Sequence, residues 1–146
     1  MKCLTIREPW AKAIMDGLKP VENRTRNVAG AHRGQLVVHV SQTYDGHPSL
    51  RRIQLLAPEF KLDLRFVGLI VGVVDLVDVH RPGERPDCQP GALCSPWAEE
   101  DRVHLVLANP RRYRYPLRAV GKLGLWEIRD SKLADREFAD EVPDHA

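Results

Sequence analysis

Hydrophobic positions along this chain recur at two spacings, and the changes between them mark out its elements. Leu4 and Ile6, alternating with Thr5 and Arg7, predict a short strand. Trp10, Ala13, Ile14 and Leu18 then recur at helical spacing, with Glu8-Pro9 opening the helix and Gly17 ending it. Val21–Arg26 reads as extended, with Glu22, Arg24 and Arg26 on one face and Val21, Asn23 and Thr25 on the other. After a turn at His32-Arg33-Gly34, Gln35–Ser41 alternates: Leu36, Val38 and Val40 face one way, Val37, His39 and Ser41 the other. Leu50, Ile53 and Leu56/Ala57 predict a short helix that Pro58 ends. Val67–Val79 is the strongest strand signal, although long for one strand. Gly68 and Gly72 share a face there, as expected at a bend or where another backbone comes close. Arg81–Pro96, with Pro82, Pro86, Pro90, Gly83 and Gly91, reads as a loop. Val103–Asn109 and Leu123–Ile128 are further strands, and Lys132–Asp140 a terminal helix. Short strands around one or two helices, without βα alternation, predict an α+β domain: a small β-barrel with flanking helices.

Composition narrows the class. At 146 residues, 43% hydrophobic and 29% charged, the chain fits one folded domain. Its longest apolar run, Phe66–Val74, is about half a membrane span, so no membrane role is expected. Arg7, Glu8, Lys12 and Asp16 interrupt any signal-peptide core, and the odd count of cysteines (Cys3, Cys88, Cys94) argues against a disulfide framework. A cytoplasmic location is expected. The net charge of +2 hides an asymmetry: residues 130–146 carry −4 and residues 1–129 carry +6. An acidic tail on a basic body suggests a nucleic-acid surface with a covering arm, or simply a solvated helix.

The densest polar cluster is Gly17-Leu18-Lys19-Pro20-Val21-Glu22-Asn23-Arg24. Lys19 falls at the helix exit, with Glu22 and Arg24 projecting together from the strand. Such a trio in a cleft grips an anionic or amide-bearing ligand and moves a proton; on spacing alone it is equally a surface salt-bridge ladder. As a cleft-surface lysine, Lys19 is expected to matter for the ligand and little for folding.

Gly17-x-Lys19-x-x-Glu22-x-Arg24 resembles the signature of the ASCH domain (activating signal cointegrator homology), a branch of the PUA-like fold. Leu4–Ala11 resembles the opening of bacterial ASCH proteins, with Glu8 where glutamine commonly precedes the proline. Arg33–Ser41, His104–Pro110 and Gly121–Trp126 resemble later strands, so the likeness spans residues 3–129. It implies a PUA-like β-barrel over residues 1–129, followed by an acidic, helical tail over 130–146. It also implies a cleft beside the signature loop that binds RNA or a modified nucleobase. Some small ASCH proteins are instead amidohydrolases that deacylate acetylated cytidine, and others are described as ribonucleases. In the amidohydrolases a lysine matches Lys19 and a threonine stands where this chain has Glu22. Lys19 and Glu22 would then be the acid/base pair.

Other candidates are weaker. Arg111-Arg112-Tyr113-Arg114, followed by Tyr115, Arg118 and Lys122, reads either as a phosphate-holding, base-stacking stripe or as an exposed hairpin edge. His39 and Ser41 share a strand face about 7 Å apart, too far for a catalytic pair but placed to line a cleft. Trp10, on the helix leading into the signature loop, is the tryptophan best placed to stack, although its spacing reads as core. Cys88-x5-Cys94, with His80 nearby, does not match the common zinc spacings and reads as two free loop thiols. No metal, cofactor or obligate protein partner is expected. Two readings result: a module that binds RNA or a nucleoside, and a small hydrolase working in the same cleft.

Overall fold

In the computed structural model, which describes residues 1–139, Leu4 and Ile6 of β1 (Lys2–Glu8) enter one hydrophobic core while Cys3 enters another. That split runs through the whole sheet. Leu36, Val38 and Val40 of β3 (Gly34–Tyr44) join the first core and Val37 the second, as the alternation predicts. β4 (Leu69–His80) feeds both cores, which is why its apolar run is almost continuous. α1 (Trp10–Met15) caps the first core with Ile14 and Met15, and packs Ala13 against Ile53 of α2 (His47–Leu56) in a third.

The remaining elements are β2 (Val21–Arg24), β5 (Val103–Arg118), β6 (Leu125–Glu127) and α3 (Asp130–Leu133). One six-stranded sheet results, in the order β2-β5-β4-β3-β1-β6, antiparallel except for the β1–β3 pair. β2 and β6 stay as edges, so the expected barrel is not closed. The shortness of β2 explains why. Asn27 Oδ1 accepts from the Ala29 and Gly30 amides and turns the chain away just beyond Arg24. The sheet nevertheless curls until Arg24 Nη2 on β2 donates to the Thr5 carbonyl on β1, at 2.9 Å. A side chain bridges the seam where a ladder would have sealed it. Among the described residues, no helix is long and apolar enough to cross a membrane.

Glu8 is 1% exposed, and its Oε1 accepts from the Lys12 amide at 2.8 Å, a bond the helix start at Pro9 does not supply. Burial pushes this carboxyl up to about 6 against that bond and the Arg112 charge. The folded protein therefore binds the Glu8 proton more tightly than the unfolded chain does. This group's contribution is most favourable below about pH 4.5 and is lost as pH rises through about 6. Glu8→Gln keeps the acceptor and removes the charge. It is expected to raise stability at pH 7.5 by up to about 2 kcal/mol and to add little at pH 4.5. Melting curves of both proteins at the two pH values check this; equal curves at pH 7.5 would show that the charge is already compensated.

The tail differs from the helix expected over 132–140. α3 is one turn that buries Leu133 in the second core. Residues 137–139 then run extended along β5, with Arg114 N donating to the Glu137 carbonyl and Ala139 N to the Arg112 carbonyl, both at 2.8 Å. Phe138 stacks on Tyr113 with centroids 5.2 Å apart, so apolar cover fixes this segment. Asp140, Glu141 and Asp144 lie outside the described residues.

Candidate functional site

Gly17 ends α1 with φ +80, its amide on the Ile14 carbonyl while Leu18 N and Lys19 N both reach the Ala13 carbonyl. This reversal folds Lys19 back beneath Trp10. β2 then pairs with β5, Glu22 opposite Leu105 and Arg24 opposite Val103, so both side chains project to one face. Lys19 Nζ donates to the Val21 carbonyl and to Glu22 Oε1 (3.4 Å), and lies 5.0 Å from the Trp10 ring centroid. Arg24 Nε donates to Glu22 Oε2 at 2.9 Å. Glu22 thus holds one cation on each oxygen. Lys19 is 3% exposed, a buried group and not the surface lysine expected. Burial lowers its pKa, opposed by the Glu22 charge.

The trio forms the floor of a cleft of about 1210 Å³ at the unclosed seam. Trp10 stands as a wall, its Nε1 donating to Asp45 Oδ2 at 2.8 Å while Ser49 donates to the same oxygen at 2.6 Å. Burial would push the Asp45 carboxyl up, but the donors on Ser49, Trp10 and Arg7 hold it below its usual range. The rim brings Arg7, Arg102 and Lys122 together with Asn23, Glu99 and residues 119–124.

His39 and Ser41 both line this cleft, but they form no pair. Trp126 Nε1 donates to Thr5 Oγ1 at 3.0 Å, and His39 Nε2 to the Ala119 carbonyl at 2.8 Å. On the other side of the ring, His39 Nδ1 meets the Thr5 hydroxyl at 3.1 Å. Ser41 Oγ accepts from the Thr43 amide at 3.0 Å. His39 is therefore an internal brace.

The arginine stripe lies elsewhere. Arg111 pairs with Asp75 (3.2 Å), Arg112 with Asp16, and Arg114 with Glu137 (3.6 Å); none of them lines the cleft. Tyr113 is 4% exposed beneath Phe138, so its ring is not offered to a base; the tail covers it. Sequence reasoning missed Thr5, Asn23, Asp45, Glu99 and Arg102 in the cleft. For Thr5 a signal existed, since it sits on the β1 face opposite Leu4 and Ile6. The others come together only through the tertiary fold.

An α+β domain whose curled sheet stays open over a polar, cation-rich cleft is the class these features define. The chain belongs to the ASCH domain family, whose model matches residues 4–116. Its fold is similar to the crystal structure of ASCH from Zymomonas mobilis, with 14% identity, a TM-score of 0.56, and coverage of 93% of this chain and 95% of that one. A point mutant of the Zymomonas protein matches equally well, at 12% identity, a TM-score of 0.56, and 93% and 98% coverage. No curated protein matches the chain.

Proposed function

We propose that the cleft binds RNA, taking an unpaired or modified base against Trp10 while Arg7, Arg102 and Lys122 meet the phosphates. The observation that carries this reading is the state of the trio on the floor. Lys19 is engaged by Val21, Glu22 and the Trp10 ring, and both Glu22 oxygens are engaged by cations. Groups so committed shape a pocket and fix its charge; they do not stand ready to exchange a proton with a substrate. Aromatic stacking beside a cationic rim is how exposed bases are held, at about 1–3 kcal/mol per stacked base. Trp97 and Trp126 are buried, so Trp10 is the indole a ligand reaches.

The lowered pKa of Lys19, with Glu22 3.4 Å away, favours a second reading: hydrolysis of an acylated or modified nucleoside, with this pair moving the proton. One experiment separates the two. Short single-stranded RNAs and acetylated cytidine are titrated at two salt concentrations, following tryptophan fluorescence and acetate release. Binding predicts a salt-sensitive quench that Trp10→Phe removes and Glu22→Gln weakens by no more than about tenfold. Acetate release that falls roughly 10²–10⁴-fold in Glu22→Gln would establish the hydrolase instead. No quench by any RNA at low salt would refute the binding reading.

A further inference from the structure

The second chemically loaded place in the molecule lies at the far end of the β4–β5 pair. His80, the last residue of β4, is in register with His104, the second residue of β5. Their rings meet edge to face, centroids 5.4 Å apart. The loop between the strands, residues 81–102, brings Cys88 and Cys94 onto the same spot. One donor atom from each of the four residues lies within 4.8 Å of the other three. Cys88 Sγ is 3.4 Å and Cys94 Sγ 3.8 Å from His104 Nδ1.

The hydrogen bonds orient these donors inward. His80 Nδ1 donates to Asp78 Oδ2 at 2.7 Å, which makes Nε2 the ring nitrogen free to ligate a metal. That Nε2 is buried and has no hydrogen-bond partner, in a residue 4% exposed. His104 Nε2 donates to the Glu99 carbonyl at 2.7 Å, which turns its Nδ1 lone pair toward both sulfurs. Asp78 is itself held by Arg85, through Nε at 3.1 Å and Nη2 at 2.8 Å. Two imidazole lone pairs and two thiols thus converge, each histidine fixed from behind by an oxygen acceptor, as in a metal site's outer shell. With bonds of about 2.3 Å to sulfur and 2.0 Å to nitrogen, a tetrahedral ion spaces its ligands roughly 3.3–3.8 Å apart. The Cys–His104 distances fall in that range, and small side-chain rotations close the rest.

We propose that His80, Cys88, Cys94 and His104 bind one Zn²⁺ in a closed tetrahedral Cys2His2 site. Borderline-soft Zn²⁺ suits two thiolates and two imidazoles, and four protein ligands leave no open position, which makes the role structural. The ion staples a proline-rich loop that has no helix or strand of its own, a length of chain that compact domains rarely leave unanchored. It also steadies the cleft wall. The Glu99 carbonyl that orients His104 belongs to a residue lining the cleft, and Glu99 N and the Trp97 carbonyl are clasped by Asn23 of β2, each at 2.9 Å.

The test uses the full chain purified without chelators from zinc-supplemented cells. Elemental analysis is expected to find about one zinc per chain. Protein stripped of metal and titrated with Co²⁺ is expected to show the visible bands and thiolate charge-transfer absorption of tetrahedral cobalt, displaced by Zn²⁺. Cys88→Ser with Cys94→Ser should abolish the charge-transfer absorption, whereas Cys3→Ser, away from the site, should leave it intact. Metal below about a tenth of an equivalent, with no visible absorption from the wild-type chain and Co²⁺, overturns the proposal even if the double variant does not fold. Unchanged cobalt spectra in a folded double variant overturn it equally.

Discussion

Lys19→Ala is expected to cost about 3–5 kcal/mol of folding stability as well as the proposed RNA binding, because it strips one partner from a buried ion pair. The ammonium is 3% exposed and fills the space between the Trp10 ring and Glu22. Its removal leaves Glu22 with Arg24 alone and the Val21 carbonyl without its donor. Lys19→Met keeps much of the stem volume under Trp10 while losing the charge, so it should recover part of the stability but none of the RNA affinity. Denaturant melts of the two variants and the wild type, with RNA titrations, separate these contributions. A Lys19→Ala protein within about 1 kcal/mol of wild type would mean that water replaces the ammonium, and that the floor is not the rigid brace described.

Gly72→Ala should be nearly as damaging, for a purely steric reason. A Cβ at this position would lie 2.1 Å from the Arg111 carbonyl oxygen, 2.7 Å from Met15 Cε and 2.9 Å from Arg112 Cα. Two of those atoms are backbone of the paired strand, directly opposite Gly72 and between register shifts, so relief requires β4 and β5 to part at their centre. Overpacking of this kind costs about 3 kcal/mol or more, a fall in Tm of roughly 6–12 °C for a chain this long. Thermal unfolding followed by circular dichroism reads this directly. A Tm within about 2 °C of wild type would show that the irregular register absorbs a methyl group.

Much of this architecture was legible in the chain because it is local. Gly17 stops α1 as its position predicts, and the residues it throws back, Lys19, Glu22 and Arg24, do meet in one cleft. The alternation in Gln35–Ser41 sorts correctly onto two faces, since a strand period of two needs no tertiary information. Most of the failures are long-range. Whether the sheet closes depends on where Asn27 turns the chain, which no periodicity encodes. The Arg111–Tyr115 segment reads either as a phosphate-holding stripe or as an exposed edge, yet it continues β5 past the kink at Asn109, and its Tyr113 is covered by Phe138, 25 positions further on. His80 and His104 are neighbours only through strand register, so a search by spacing that sets His80 beside Cys88 and Cys94 passes over His104.

The unclosed seam has a mechanical consequence. Five strand pairs resist deformation through backbone ladders, whereas across the mouth of the cleft the described residues supply a side-chain tie, Arg24, held to Thr5 on one side and Glu22 on the other. Charge-assisted bonds of this kind are worth about 1.5–3 kcal/mol each, and breaking the one to Thr5 disturbs no ladder. The domain is therefore stiff along its strands and compliant in one direction, across the aperture. Arg24 is the side chain that spans it.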